Sequence, residues 1–325
     1  MKVLITGGAG YIGSVTVDRL LSHGYEVVVL DNLMYGNAFA LKKFASNSKF
    51  TFVKGDVRKP EDLEKAMKDV DAVVHMAALV GAPACDKNKE LTVAVNYEAT
   101  KLVADLCQKH DVDRLLFASS TSVYGNIKDL DTVDEKGPVN PISLYAETKL
   151  MSEKYLLQKH EEEGLPACCL RVATNYGPSH RMRFDLVVNY FTYIAKRKGI
   201  ITVHGGGGQW RPFIHVHDTA RAYQVLLEAP RKLVEGEVYN VGCTEENYTI
   251  MDVAKIVKEA VPTARIVVEK EVKDPRSYRV SFEKIKTKIR FEPEKRLRDG
   301  VLDVLKLLET IENPEAPVYR NYMPE

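Results

Sequence analysis

Tyr145 and Lys149 lie four residues apart in Ser143-Leu-Tyr-Ala-Glu-Thr-Lys149, so on a helix they share one face. A tyrosine phenol, with a pKa near ~10, is a poor base at neutral pH. An ammonium group beside it favours the phenolate. With that help Tyr145 could take a hydroxyl proton as a general base. The same spacing is common on helix surfaces, so the pair draws its meaning from what precedes it.

What precedes it is a candidate anion site. Lys2 to Thr6 is apolar enough for a buried strand and breaks into Gly7-Gly-Ala-Gly10-Tyr-Ile-Gly13. A helix pattern follows through Val15, Val17, Leu20 and Leu21. The free N–H groups of a first helical turn, with the helix dipole, attract a phosphate, and glycines let it come close. A second apolar run, Glu26 to Leu30, ends in Asp31, 18 residues after Gly13. An acid at that point can accept from adenosine ribose hydroxyls and would repel a 2′-phosphate. No arginine or lysine follows in Asn32-Leu-Met34, so the pattern favours NAD over NADP.

The elements that must position these groups alternate regularly. Strand-like runs recur at Thr51–Val53, Asp71–His75 and Arg114–Ala118, followed by Gly55-Asp56-Val57, Met76-Ala77-Ala78 and Ser119-Ser120-Thr121. Helical stretches start at Pro60, run from about Leu91 to His110 through Asn96, and run from 144 to 163. A further strand, Ala167–Val172, leads into Asn175-Tyr-Gly-Pro178. This alternation predicts a doubly wound parallel sheet, a Rossmann-type α/β fold, with ligands beyond the carboxyl ends of the strands. Asp31, Asp56, Ala77 and Ser120 all fall at such ends. From Ser179 the pattern loosens into helices at 184–198, 218–229, 249–260 and 296–309 with short strands between. The expected division is a dinucleotide-binding domain over 1–178 and a smaller α/β substrate lobe over 179–325, with segments of about 200–245 interleaved into the sheet.

Composition narrows the classes. The chain has 325 residues, 45% hydrophobic, with net charge +1, which argues against a nucleic-acid binder. No run reaches the ~18 apolar residues of a membrane span, and no leader pattern opens the sequence, so a cytoplasmic location is expected. The five cysteines have no metal-ligand spacing and are expected to be free thiols, with no metal site.

Taken together the motifs resemble the extended short-chain dehydrogenase/reductases that act on nucleotide sugars as epimerases and dehydratases, of the UDP-glucose 4-epimerase kind. The resemblance is carried by Thr6-Gly-Gly-Ala-Gly-Tyr-Ile-Gly13, Asp31, Gly55-Asp56-Val57, His75-Met-Ala-Ala78, Asn96, Ser119-Ser-Thr-Ser-Val-Tyr-Gly125, Tyr145-x-x-x-Lys149, Arg171-x-x-x-Asn175-Tyr-Gly-Pro178 and Arg211-x-Phe-Ile-His-Val-x-Asp218. It implies NAD as cofactor, held by Gly7, Gly10, Tyr11, Ile12, Gly13, Asp31, Asn32, Asp56, Val57, Ala77, Ala78, Asn96, Tyr145 and Lys149. It implies Ser120, Tyr145 and Lys149 as catalytic, with the Ser120 hydroxyl bridging Tyr145 and the sugar oxygen. Asn175, Arg211 and Arg276 match positions that hold a nucleotide-sugar diphosphate, although Arg276 also reads as a surface ion pair.

Departures from the family pattern bear on the reaction. Sugar 4,6-dehydratases of the family carry an Asp-Glu pair just before Val-Tyr-Gly, and the related decarboxylases usually keep the glutamate. Here those places hold Thr121 and Ser122. Pro212 stands where an aspartate is common. The expected activity is epimerisation, at C4, of a nucleotide-diphosphate sugar. The alternatives are reduction of a 4-keto nucleotide sugar and a non-catalytic nucleotide sensor. Arg181 and Arg183 could meet an anionic substrate group but read more simply as solvated loop residues, and Cys85 as a small packed thiol. A homodimer is expected through 91–110 and 144–163, where Val93, Val95, Leu102, Leu106, Leu150, Tyr155 and Leu156 are apolar.

Overall fold

The computed structural model describes residues 1–127, 131–269 and 275–321. The first half holds β1 (Lys2–Thr6), α1 (Tyr11–Ser22), β2 (Glu26–Asp31), β3 (Phe50–Lys54), α2 (Pro60–Ala66) and β4 (Ala72–His75). It continues with α3 (Ala82–Lys87), α4 (Lys89–Val93), α5 (Ala99–Lys109), β5 (Arg114–Ser120), α6 (Leu144–Glu163) and β6 (Ala167–Val172). Beyond it come β7 (Thr174–Tyr176), α7 (Val187–Lys198), β8 (Ile200–His204), β9 (Trp210–His215), α8 (Val216–Glu228) and β10 (Glu237–Val241). The last elements are β11 (Asn247–Thr249), α9 (Ile250–Ala260), β12 (Arg265–Glu269), α10 (Glu283–Ile289) and α11 (Leu297–Leu308).

Strands that are apolar on both faces need cover on both sides, and a parallel sheet between helix layers provides it. Seven strands pair in parallel in the order β10-β6-β5-β4-β1-β2-β3. The order reverses between β1 and β4, which opens a crevice at their carboxyl ends. Side chains alternate between the layers. Val3 and Ile5 pack with Val17 and Leu20 of α1 and Ala222 and Leu226 of α8. Leu4, Val28 and Val73 pack on the other face with Leu63 of α2, Val103 and Cys107 of α5, and Leu156 of α6.

The second lobe has its own core, where Phe191 and Ile194 of α7 meet Val253 and Val257 of α9 and Val301 and Val304 of α11. Its strands form two small sheets, β11-β9-β7 and β12-β8. Of the segments expected to interleave, α8 and β10 return to the large sheet, whereas β8 and β9 stay in the lobe. The expected single helix from 91 to 110 is α4 and α5 joined through a wider π turn at Ala94–Glu98. The short helices α3 and α10 lack a run long enough to show a period and were not anticipated.

Tyr145 and Lys149 lie in the first turns of α6. Ser143 caps it by accepting from the Ala146 N–H, and Gly164 ends it in the left-handed region at φ +75°. A buried charge network ties α6 to the sheet. The Arg171 guanidinium of β6 donates to both Glu153 carboxylate oxygens at 2.8–3.1 Å, and Ser119 of β5 donates to the same carboxylate. Arg171 also donates to the Tyr124 hydroxyl at 3.0 Å, which in turn donates to Asn240 of β10 at 2.8 Å. Removing one partner of such a pair strands the other charge. Glu153→Ala is expected to destabilise the fold by about 3–5 kcal/mol, read from urea unfolding. A loss below about 1 kcal/mol would show that the network does not hold the layers together.

Candidate active site

The carboxyl ends of the strands around the crevice open into one cavity of about 950 Å³. That volume is at the upper end of the ~300–1,000 Å³ range of ligand sites. It is lined on the β2–β3 side by Asp31, Asn32, Asp56 and Val57. Gly7, Gly10, Tyr11, Ile12, Gly13, Ala77 and Ala78 line its middle, and Ser120, Tyr145, Lys149, Asn175, Arg211 and Arg276 the far side.

The middle is a cradle made by close backbone packing. Gly7 has φ +74°, and a Cβ there would lie 2.9 Å from the Ala77 backbone. A Cβ on Gly13 would lie 2.3 Å from the Gly7 carbonyl oxygen. Gly10 precedes α1 with extended backbone, no side chain caps the helix, and its first turn carries no acid. Among the described residues, the Tyr11, Ile12 and Gly13 amides donate to no protein acceptor. A twelve-residue helix with a bare, uncapped N-terminus fits a pyrophosphate.

Asp31 accepts from the Ala9 N–H at 3.0 Å and the Leu33 N–H at 2.8 Å, so it braces the glycine turn as well as facing the cavity. Burial pushes its carboxyl up, against these two amides and the Arg181 charge. Asp56 is held at about pKa 2, chiefly by hydrogen bonds from Arg58, and Asn32 donates to it at 3.3 Å. This end therefore presents carboxylates and apolar walls, as an adenosine needs.

Two of the expected cofactor residues also make structural hydrogen bonds. The Asn96 side chain is buried. Its amide oxygen accepts from the Leu79 N–H at 2.8 Å, and its nitrogen donates to the Leu79 carbonyl and Thr148, so it holds the loop behind the site. The Tyr11 hydroxyl donates to the Gly177 carbonyl at 2.6 Å, which leaves its backbone as the part that faces a ligand.

At the far side the three catalytic candidates meet. The Ser120 hydroxyl hydrogen-bonds to the Tyr145 phenol, and it accepts from both the Ser122 N–H (3.1 Å) and the Ser122 hydroxyl (2.9 Å). Burial pushes the phenol up to about 12, opposed by the Ser120 hydrogen bond and the Arg183 charge. Lys149 is buried with its Nζ 4.8 Å from the Phe117 ring centre and 5.9 Å from that of Tyr145. Burial pushes its ammonium down to about 8. Arg183 adds a second positive charge that favours the phenolate.

The reading of Arg181 and Arg183 as solvated is corrected. They are only 1% and 8% exposed and both line the cavity. Arg183 pairs with Asp185 at 2.6–3.0 Å, and Arg181 stacks 4.8 Å over Tyr35 and donates to Asn321. Their alternation around Met182 carries no sequence signal of burial, because the covering residues come from the distant C-terminal stretch. Asn175 donates to the Ala173 carbonyl and accepts from Thr219. Arg211 donates to the Trp210 and Arg276 carbonyls, so the two substrate-side arginines are joined. Cys85 is fully buried and donates to the Leu79 carbonyl. His75, pushed down to about 3 by burial, has its ring nitrogens bonded to Thr6 and Thr100, so it is a neutral structural group.

Comparison with known proteins agrees with this geometry. Residues 3–242 match the family described as NAD dependent epimerase/dehydratase. UDP-glucuronic acid decarboxylase 6 of Arabidopsis thaliana is 32% identical over 311 residues, 93% of this chain and 87% of that protein. A dTDP-glucose 4,6-dehydratase of Streptomyces niveus is 30% identical over 315 residues, 94% of this chain and 92% of that protein. The crystal structure of a UDP-glucuronic acid 4-epimerase from Bacillus cereus, in complex with UDP-glucuronic acid and NAD, superposes with a TM-score of 0.87 at 28% identity. It covers 95% of this chain and 99% of that one. The chain belongs to the NAD-dependent epimerase/dehydratase family, an enzyme family with NAD as cofactor and the Rossmann fold described above.

The Asp31 carboxylate sets the first cofactor test. Protein stripped of cofactor is expected to bind NAD⁺ at least about tenfold more tightly than NADP⁺, because the 2′-phosphate would meet a fixed like charge. Equal affinity in a calorimetric titration would remove Asp31 from the ribose site.

Proposed function

We propose that the protein epimerises a nucleotide-diphosphate sugar at C4. The observation that carries this reading is the Tyr145–Ser120–Ser122 chain of hydrogen bonds in a cavity that presents hydroxyls, not carboxyls, beside the phenol. Dehydration needs an acid and a base for the C5 proton and the C6 hydroxyl; Thr121 and Ser122 supply neither.

This reading assigns the roles as the family resemblance implies them, and the lining of the cavity is compatible with each. The glycine turn and bare α1 terminus hold the pyrophosphate of NAD, Asp31 the adenosine ribose, and Lys149 the other ribose. When bound, NAD supplies the acceptor and donor of the C4 hydride. Tyr145 takes the proton of the sugar 4-hydroxyl, and Ser120, positioned by the Ser122 N–H, bridges the phenol and the sugar oxygen once that oxygen takes the place of the Ser122 hydroxyl. Lys149 and Arg183 favour the phenolate that burial alone disfavours. Asn175, Arg211 and Arg276 hold the diphosphate. The proton returns from Tyr145 to the oxygen once the sugar has presented its other face, so no net oxidation occurs.

The direct test is incubation with a panel of nucleotide sugars without added cofactor, followed by chromatography. Conversion of one sugar to its 4-epimer is expected. A 4-keto product, or turnover that consumes added NADH, would replace epimerisation with dehydration or reduction. Tyr145→Phe is expected to lower turnover by about 10²–10⁴-fold while leaving NAD binding intact. In the wild type the rate is expected to fall as pH rises through about 8, where Lys149 loses its proton. Lys149→Met is expected to lack that limb. A flat profile across this range would mean that the ammonium charge is not used.

We also read the protein as a cytoplasmic homodimer. Its five cysteines are free, as a reducing compartment requires. Val95, Leu106 and Leu156 are spent on the protomer's own core. Leu102 and Tyr155 remain half-buried and Met151 is 42% exposed, giving α5 and α6 an apolar face for a second copy. Light scattering at micromolar concentration is expected to give twice the 36.5 kDa chain mass. A monomer mass would leave these residues as local packing.

A further inference from the structure

Beyond α11 the chain crosses from the second lobe to the dinucleotide-binding half. Between residues 309 and 321 it has one short helical turn, Pro317–Tyr319, and one buried side chain, Pro314. Its ties lie at the two ends of the crossing. On the lobe side the Tyr319 carbonyl accepts from the Phe184 N–H at 2.9 Å, and the Asn321 N–H donates to Asp185 at 3.2 Å. Arg181 donates to the Asn321 side chain at 2.5 Å and to the Arg320 carbonyl at 3.1 Å. The Tyr319 ring meets Phe184, with ring centres 5.9 Å apart, and also Phe39 of the other half, at 6.2 Å.

Phe39 belongs to the stretch after β2, whose Tyr35 and Asn37 line the cavity. Asn37 donates in turn to the Ala9 carbonyl of the glycine turn at 2.7 Å. Asn321 also lines the cavity and is half-buried, so it faces the space a ligand would fill. Residues 317–321 therefore run along the cavity from Asp185 to Phe39 and join its two walls. The contacts are few, and Glu312, Asn313, Glu315 and Pro317 before and within the crossing are exposed. Segments with so little buried apolar surface are the first to open locally.

Arg181 links this closure to an anion. Among the described residues its guanidinium makes no ion pair, only bonds to neutral oxygens and a stack on Tyr35. Its N–H donates to the Ser179 hydroxyl, which donates to the Tyr11 carbonyl in the first turn of α1. A buried charge without a counter-charge is disfavoured, and a pyrophosphate on that turn supplies one.

We propose that residues 317–321 form a strap over the cofactor cavity, and that a dinucleotide enters and leaves when the strap lifts from Phe39 and Arg181. The proposal rests on the reading of the cavity as a dinucleotide site.

The test is exchange rather than turnover. Wild type, Asn321→Ala and Tyr319→Ala are loaded with NADH and mixed with excess NAD⁺, and the loss of bound NADH fluorescence is timed. Uptake is timed by mixing cofactor-free protein with NADH. Asn321→Ala removes the side-chain tie to Arg181, and Tyr319→Ala removes the ring seated on Phe39. Each variant is expected to release NADH about tenfold faster, the fold-change of one lost tie, and to take it up faster as well. Unchanged release in a folded variant overturns the strap. Faster release with unchanged uptake overturns it too, because these residues would then be ligand contacts and not a gate. Should Tyr319→Ala fail to fold, Asn321→Ala decides alone. A wild type that takes up no NADH overturns the dinucleotide reading and the strap with it.

Discussion

The pairing of Glu153 with Arg171 is the constraint on which the site depends. Glu153 is one helical turn beyond Lys149 and two beyond Tyr145 on α6, and its carboxylate accepts from Ser119, the neighbour of Ser120. One carboxylate therefore sets the distance between the strand that carries the serine and the helix that carries the tyrosine and lysine. The pair is almost wholly buried, at 7% and 1% side-chain exposure, so neither charge has an alternative partner in water. Such a pair adds little net stability compared with apolar packing, but it tolerates little displacement. A general base benefits from that rigidity, because proton transfer requires hydrogen-bond distance.

Burial then works against the chemistry it protects. Water exclusion pushes Tyr145 up to about 12 and Lys149 down to about 8, so both groups resist their charged forms. The fold answers with hydrogen bonds and remote charge rather than with a neighbouring ion pair. Ser120 donates toward the phenol, Ser122 fixes Ser120, and Arg183 contributes from the other lobe. The arginine is itself neutralised in part by Asp185, which keeps so deeply buried a cation tolerable.

Much of this was legible in the sequence because it is local. Strand periodicity, the glycine turn, the acid after β2 and the Tyr145–Lys149 spacing each express a short-range rule, and the large helices begin and end within about three residues of their reading. The substrate side was less legible. Arg181 looks like a loop residue until Arg320 and Asn321 arrive from 139 and 140 residues away to cover it. The bonds between the Asn96 amide and the Leu79 backbone, 17 residues away, were not legible either. Interactions between segments far apart in sequence leave no period to read.

The two lobes are joined at the uncapped N-terminus of α1. Ser179 donates to the Tyr11 carbonyl at 2.6 Å and lies 3.2 Å from the Ser14 hydroxyl, while the Tyr11 hydroxyl donates back to Gly177. Asn189 of α7 closes the group by donating to the Tyr11 hydroxyl and accepting from the Gly177 N–H. The first turn of α1 is thus clasped to the loop that leads into Arg181 and Arg183. The hydrogen bonds that fix the bare helix terminus are therefore the same ones that fix the entry to the arginine loop, and a substitution at Ser179 or Asn189 would disturb both walls of the cavity at once.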